Sequence, residues 1–137
     1  MAVDCEALAR RWFEEVWNAR RGEVIDELLT TESVCFGEGG PIRGPVEFRE
    51  RLHQPFLAAF PDLAVKVEAT LARGDEVVIR WTAVGTHTGD GFEFPPTQQR
   101  AEFQGITWLR VRDGKLTEGW QSSNIPEVMR RLASASA

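Results

Sequence analysis

The chain contains no tyrosine, only two cysteines and only two histidines. Without tyrosine, no phenol hydroxyl is available to stabilise an oxyanion. Cys5 and Cys35 fit neither a metal-binding spacing nor a CxxC redox motif, so we expect reduced thiols in a cytoplasmic protein. His53 and His87 have no ligand spacing with the scattered acids. The sequence therefore predicts no metal and no other cofactor.

Long apolar runs and excess positive charge are also missing. No run approaches the roughly 20 apolar residues that span a bilayer, and no signal-peptide pattern precedes the first predicted helix. The net charge of −5 argues against a nucleic-acid-binding surface. The glycines at 37–44 are interrupted by Pro41 and Arg43, which is not the pattern of a phosphate-binding loop. We expect neither a membrane nor a nucleic acid as a partner.

The composition that remains is typical of a globular protein. The 137 residues are enough to bury one sizeable core. We therefore assign residues 1–137 to a single domain, in which the Ala/Ser tail at 133–137 is expected to be frayed.

The first half of the chain has helical periodicity. Asp4 is a suitable N-cap, and Pro45 suits the first turn of a helix, whereas Pro55 predicts a kink inside one. The predicted helices cover residues 4–21, 24–29 and 45–59, with a short strand at 33–37 between the second and the third.

After Asp62 the hydrophobic period changes to two, which is typical of strands. Asp113-Gly114 is a strong signal for a two-residue hairpin turn, and Pro126 opens a final short helix. The predicted strands cover residues 63–71, 77–87, 100–112 and 115–122. Helices followed by a meander indicate an α+β fold. We expect a cone-shaped α+β barrel, in which a curved, mostly antiparallel sheet wraps around three N-terminal helices and leaves a conical cavity.

Six short motifs occur in a fixed order along the chain. They are WNAR at 17–20, RGP at 43–45, FPDL at 60–63, GTHTG at 85–89, PPT at 95–97 and RDGK at 112–115. In this order and spacing the chain resembles the SnoaL-like polyketide cyclases of the nuclear-transport-factor-2-like superfamily. The resemblance covers Trp17 to Leu132. It implies the cone-shaped fold, homodimerisation and an intramolecular aldol closure.

The resemblance also implies an acid–base pair, and here the sequence departs from the family pattern. The family places a carboxylate after the DGK hairpin and a histidine on the preceding strand. This chain has Gln121 and Thr107 at those positions. Glutamine does not exchange a proton near neutral pH, but it can orient a carbonyl, and Thr107 can donate to an enolate oxygen. The absence of tyrosine excludes the oxyanion donor of the ketosteroid isomerases, another branch of the superfamily.

Alternation along the last two predicted strands separates their faces. Residues 101, 103, 105, 107, 109 and 111 form the smaller, more apolar set, which we assign to the concave face together with 119, 121 and 123. Gly105 and Gly119 are predicted to widen a pocket there. Trp108 and Trp120 fall on the convex face, where two exposed indoles predict a homodimer through the outer face of the sheet.

These assignments give a candidate site. The predicted catalytic residues are Gln121, Thr107 and His87, although His87 also fits a structural role in locking the GTHTG turn. His53 is expected to face solvent, and Glu38 is the acid expected closest to the cavity mouth. The predicted ligand-binding residues are Trp17, Phe36, Trp81, Phe103, Gly105 and Asn124.

Two functions remain open on the sequence. The first is a cofactor-independent cyclase or isomerase that acts on a hydrophobic ring or polyketide-like molecule. The second is a non-catalytic small-molecule binding module that lost the acid–base pair. A hydrolase of the same fold would need an inward carboxylate, which the alternation does not supply, and a pure assembly domain would use only the outer sheet face.

Overall fold

The computed structural model describes residues 4–135 and has α+β architecture. The helices are α1 (Cys5–Arg11), α2 (Gly22–Leu28), α3 (Gly44–Phe48), α4 (Gln54–Ala59) and α5 (Ile125–Ala135). The strands are β1 (Leu29–Gly37), β2 (Gly40–Arg43), β3 (Ala64–Arg73), β4 (Glu76–Thr86), β5 (Arg100–Arg112) and β6 (Lys115–Ser123).

The first helix begins at the predicted cap and is tied to the sheet at its far end. The Asp4 carboxylate accepts a hydrogen bond from the Ala7 amide over 3.1 Å. Helix α1 then continues as a π-helical segment, Trp12–Asn18. The predicted end at residue 21 is too late, because Arg20 adopts a left-handed φ of 58°. The Asn18 side chain donates to the Val65 carbonyl and accepts from the Val65 amide, which fixes the helix end against β3.

A π-helical segment precedes Pro55, where the sequence predicts a kink or an early break. Helices α3 and α4 are joined by a π-helical segment, Arg49–His53, and Pro55 lies in the first turn of α4. Proline has no N–H and crowds the preceding turn. The wider turn, in which the Gln54 amide donates to the Arg49 carbonyl five residues back, accommodates it without breaking the helix.

The sheet has the strand order β2-β1-β6-β5-β4-β3. Strand β1 pairs parallel with β6, and every other neighbouring pair is antiparallel. The α+β class and the curved sheet are confirmed, but the sheet is mixed and open, with β2 and β3 as edges, and is not a closed barrel. The sequence pattern does not predict strand β2, because Gly39-Gly40-Pro41 is typical of the end of a strand; in the structure this segment turns the chain into a short hairpin.

The hairpin between β5 and β6 forms as predicted. Asp113 and Gly114 both have positive φ, 53° and 74°, as a type I′ turn requires. The register shifts once after the turn, because Val111 pairs with Leu116 and Arg110 pairs with Glu118. This bulge lets both Leu116 and Gly119 lie on the buried face.

The core lies between the helices and the concave face of the sheet. Its fully buried side chains include Val16, Val24 and Ile25 from the helices and Val77, Ile79 and Ala101 from the strands. Helix α5 buries Val128 and Leu132. It continues to Ala135, so residues 133–135 are helical and not frayed, and residues 136–137 lie outside the described part. None of the helices within residues 4–135 has the length and apolar character needed to cross a bilayer.

Candidate functional site

A cavity of about 100 Å³ lies between the helices and the concave face of the sheet. Its wall is mostly aromatic and aliphatic. The aromatic side chains come from both layers: Trp12, Phe13, Trp17, Phe48 and Phe56 from the helices, and Trp81 and Phe103 from the strands. The polar side chains of the wall are few and include Ser33, Thr107 and Gln121. Such a wall suits a largely apolar ligand with a small number of hydrogen-bonding groups.

Three wall residues on adjacent strands form a hydrogen-bonded chain. Thr107 and Gln121 are paired across β5 and β6, and Trp81 lies on β4. The indole Nε1 of Trp81 donates to Thr107 Oγ1 over 2.9 Å, and Thr107 Oγ1 donates to Gln121 Oε1 over 3.2 Å. The strand alternation therefore placed Thr107 and Gln121 on the correct face, and the structure brings them together at the cavity.

Gly105 has a different role from the predicted one. It is not part of the cavity wall, because the indole of Trp81 occupies the space in front of it. A Cβ at this position would lie 2.6 Å from Trp81 Cζ2 and 2.8 Å from Ser123 Cβ. The missing side chain therefore makes room for the indole and does not widen the pocket.

Phe36 and Asn124 do not reach the cavity. Phe36 is on the convex face, 40% exposed, with its ring stacked on Trp120. The Asn124 side chain accepts from the Gln104 amide and donates to the Glu102 carbonyl, so it secures the chain end of β6 to β5. The structure thus separates both residues from the other predicted ligand contacts.

His87 is fully buried, but it lies outside the cavity wall. Its ring is 5.5–5.6 Å from the rings of Phe60, Phe92 and Phe94. Nδ1 accepts a hydrogen bond from the Thr97 amide, and Nε2 has no partner within the described residues. Burial lowers the pKa of His87, partly offset by the charge of Asp90. These contacts tie the loop after β4 to the strand and match the structural interpretation of this histidine.

His53 is buried, which contradicts the prediction that it faces solvent. Only 4% of it is exposed, and its Nε2 lies 2.7 Å from the Val16 carbonyl oxygen. A carbonyl near the C-terminal end of a helix lacks an intrahelical partner, and the imidazole supplies a donor to it. Burial lowers the pKa of His53, although the bond to Val16 raises it.

The carboxylate of Glu38 is engaged at the end of β6. It accepts hydrogen bonds from the Ser123 amide, over 2.5 Å, and from the Ser123 hydroxyl, over 2.9 Å. Glu38 is absent from the cavity wall. Its bonds fasten the β1–β2 turn to the last strand.

Cys35 is a wall residue that the sequence analysis did not assign to the site. It lies on β1 opposite Gly119 of β6, on the concave face. Burial, and to a lesser degree the negative charge of Glu38, raises the pKa of its thiol to about 11. Strand alternation could have placed Cys35 in the wall, because neighbouring residues on a strand face opposite sides and an outward Phe36 requires an inward Cys35.

Two ionisable side chains belong to the cavity wall among the described residues, Cys35 and Glu118. The Cys35 thiol stays protonated at pH 7, and the Glu118 carboxylate is held by Arg110 at 2.7 Å. Within residues 4–135, no group of three or more His, Cys, Asp or Glu side chains could hold a metal ion. The arrangement can therefore enclose an apolar molecule and hydrogen-bond it, mainly through Gln121.

The model of the SnoaL-like polyketide cyclase family matches residues 7–132. A candidate SnoaL-like polyketide cyclase from Jannaschia sp. CCS1 superposes with a TM-score of 0.83 at 22% identity, over 95% of this chain and 92% of the other. At that identity the likeness is evidence for a shared fold. A comparison with curated proteins finds no match.

Two Streptomyces structures are more similar in sequence. AclR from Streptomyces galilaeus, described as a candidate hydroxylase, has a TM-score of 0.82 at 28% identity, over 96% of this chain and 82% of that one. IdmH from Streptomyces antibioticus, described as a candidate polyketide cyclase, has a TM-score of 0.79 at 26% identity, over 95% and 99%. One structure is described as a hydroxylase and the other as a cyclase, so the shared fold does not determine which reaction a protein catalyses.

Proposed function

Because the chain belongs to the SnoaL-like polyketide cyclase family, we propose that it is a cofactor-independent cyclase or isomerase. Its substrate is a hydrophobic ring compound or polyketide-like molecule held in the cavity between the helices and the sheet. The observation that carries this proposal is the largely apolar cavity wall with the bonded pair Thr107 and Gln121 at the family's acid–base positions.

Positioning is the proposed source of rate enhancement. An enclosed wall can hold a flexible substrate in a reactive conformer, and oriented hydrogen bonds can stabilise developing charge on oxygen. Gln121 is the proposed catalytic residue and Thr107, which bonds its Oε1, is proposed to orient it, with Trp17, Trp81 and Phe103 as ligand contacts. His87 and Asn124 are proposed to support the strands, and Phe36 the outer face, on the contacts described above.

The test uses an aromatic ketone with a tethered 1,3-dicarbonyl, which closes a ring by intramolecular aldol addition. Gln121→Ala and Thr107→Val are each expected to lower the rate of ring closure by about 10-fold or more. Ser122→Ala is the matched control, since Ser122 is the exposed neighbour of Gln121 on the opposite face of β6. Equal rates for all three variants and the parent protein would reject the proposal.

The alternative function is a binding module without catalysis. The observation that favours it is that, in the described cavity wall, the Cys35 thiol is held protonated and the Glu118 carboxylate is already paired with Arg110. Two results together would favour the binding module. Ring compounds would bind and slow the labelling of the cavity cysteine, and every tested substrate would be recovered unchanged.

We also propose that the protein is a homodimer. Three aromatic side chains form a row across the outer face of β1, β6 and β5, namely Phe36, Trp120 and Trp108, and we call it the outer aromatic row. Trp108 is 47% exposed and the adjacent Ile106 is 49% exposed. A second copy of the chain would remove this surface from water.

A cytoplasmic location is proposed because reduced thiols such as Cys5 and Cys35 persist there.

A further inference from the structure

The hydrogen-bonded chain in the cavity wall has a fixed direction, and Trp81 sets it. Trp81 is buried, and its Nε1 lies 2.9 Å from Thr107 Oγ1. An indole nitrogen is a donor only. The hydroxyl of Thr107 must therefore accept at this contact, and its single hydrogen is left for another partner.

That hydrogen has one acceptor within reach in the described structure. Thr107 is itself buried, and its other side-chain partner is Gln121 Oε1 at 3.2 Å. If the Gln121 amide were turned over, its nitrogen would face Thr107 and a buried hydroxyl hydrogen would lose its acceptor. An unsatisfied buried donor is costly. The oxygen of Gln121 is thus held toward Thr107.

The nitrogen of Gln121 is consequently left for a ligand. Gln121 is part of the cavity wall, and its Nε2 has no hydrogen-bond partner among residues 4–135. The other wall hydroxyl, of Ser33, already donates to the Leu116 carbonyl over 2.6 Å. The polar end of the cavity therefore presents two N–H donors and no unengaged carboxylate.

Packing holds Trp81 in the orientation that this chain needs. Its indole fills the space in front of Gly105, and its rings lie 6.3 Å from those of Phe13 on the helical layer. A glycine at 105 is required for this placement, because a Cβ would come within 2.6 Å of the indole. Trp81 acts on Gln121 through Thr107, which makes it a positioning residue.

We propose that the cavity selects ligands that present an oxygen acceptor, such as a carbonyl or enolate oxygen, to the amide nitrogen of Gln121, and that Trp81 determines this preference. The proposal rests on the proposed function in one respect: it takes the cavity as the ligand site. It adds the chemical group that the ligand must direct toward β6 and the residue that enforces it.

Three probes of one shape and size test the preference: 1-indanone, indane and 1-aminoindane. The first offers an acceptor oxygen, the second no polar group, and the third, protonated at pH 7.5, only donors. Calorimetric titration is expected to give about 10-fold tighter binding of indanone than of indane, the value of one net hydrogen bond. Aminoindane is expected to bind most weakly, because it would face the amide donors with an ammonium group.

One variant reverses the polarity of the hydrogen-bonding group at position 121 with little change in its shape. Gln121→Glu replaces the donors with a carboxylate oxygen, so aminoindane is expected to bind tighter than indanone. Gln104→Glu is the matched control, because it adds the same charge on the exposed face of β5. It should leave the order of the three probes unchanged.

Trp81→Phe tests the positioning role. It removes the indole N–H and vacates part of the indole's space for a water molecule, which can accept the Thr107 hydrogen and so lets the Gln121 amide turn. The ratio of indane to indanone dissociation constants is expected to fall from about 10 to below about 2 in a variant whose circular dichroism is unchanged. A purely structural role for Trp81 would weaken both probes equally and keep the ratio, and that result would overturn the proposal.

The outcomes also separate this proposal from the proposed function. Equal binding of indanone and indane by the parent protein would overturn the donor preference while leaving the cavity as a ligand site. A failure of all three probes to bind would overturn both. Tighter binding of aminoindane to the parent protein would show that Gln121 presents its oxygen, which also contradicts the proposal.

Discussion

The ring of Phe36 stacks on Trp120 across the parallel strands β1 and β6, with centroids 6.0 Å apart and planes inclined by 18°. Trp108 continues the contact on β5, with its ring edge-on to Trp120 at 6.3 Å. The side chain of Arg110 lies over Trp120 and bonds Glu76 and Glu118. The outer aromatic row is thus flanked by one guanidinium and two carboxylates that are already paired with one another.

The outer aromatic row is expected to be the dimer interface. Replacing Trp108 and Trp120 together by Lys should give a monomer or aggregates, because the interface would bury unpaired charge. Leu71→Lys is the control, since Leu71 on β3 is 74% exposed but lies outside the row. Sedimentation velocity at micromolar concentration measures the result. A monomeric parent protein with both indoles open to quenching would reject the interface.

Gly105 on β5 and Gly119 on β6 provide a matched pair for testing where the Trp81 indole lies. Gly105→Ala should lower the free energy of unfolding by about 1–3 kcal/mol, because its Cβ would overlap the Trp81 indole. Gly119→Ala should cost less, since the nearest neighbour of its Cβ would be the flexible tip of Leu109 at 3.1 Å. Urea unfolding of both variants gives the comparison. A larger loss for Gly119→Ala would contradict the assigned placement of the indole.

The faces of the strands were predictable, because alternation on β5 and β6 depends only on the backbone. Thr107 and Gln121 reached the cavity for that reason. The fates of Gly105 and His53 were not predictable, because they depend on what occupies the opposite layer. The indole that fills the space at Gly105 comes from Trp81 on another strand. The carbonyl that His53 binds belongs to a π-helical segment, which no residue pattern predicts.

Stability should fall as the pH drops below about 6.5. Burial lowers the pKa of both His53 and His87, so the unfolded chain binds protons at a higher pH than the native state. The stabilisation is complete above the unfolded value of about 6.5 and is lost as the pH falls toward the folded pKa values. Urea unfolding at pH 7.5 and 5.5 measures the change.

Substitution of the two imidazoles identifies the source of this pH dependence. His87→Gln and His53→Gln are each expected to reduce the loss of stability between pH 7.5 and 5.5, and the double variant should remove most of it. Both substitutions also lower stability at pH 7.5, so the comparison is made on the difference between the two pH values. A double variant with the same pH dependence as the parent would show that other groups are responsible.

Cys35 should label slowly despite its place in the cavity wall. With a thiol pKa of about 11, roughly one molecule in several thousand carries the thiolate at pH 7.5. In a Cys5→Ala chain, iodoacetamide is expected to react at least about 100-fold more slowly than with free cysteine. The rate should rise with pH, and 1-indanone should slow it further. Fast labelling at pH 7.5 would contradict the buried thiol.

The parallel pairing of β1 with β6 has a consequence for how the molecule is made. Ser33 donates to the carbonyl of Leu116, 83 residues further along the chain, whereas β3–β4 and β5–β6 pair with their sequence neighbours. Hairpins between sequence neighbours close quickly, and contacts between distant segments close slowly. On the ribosome, β1 must therefore wait with an unpaired edge until β6 has emerged. The cavity is completed last, and substitutions that weaken the β1–β6 seam should slow folding more than substitutions in either hairpin.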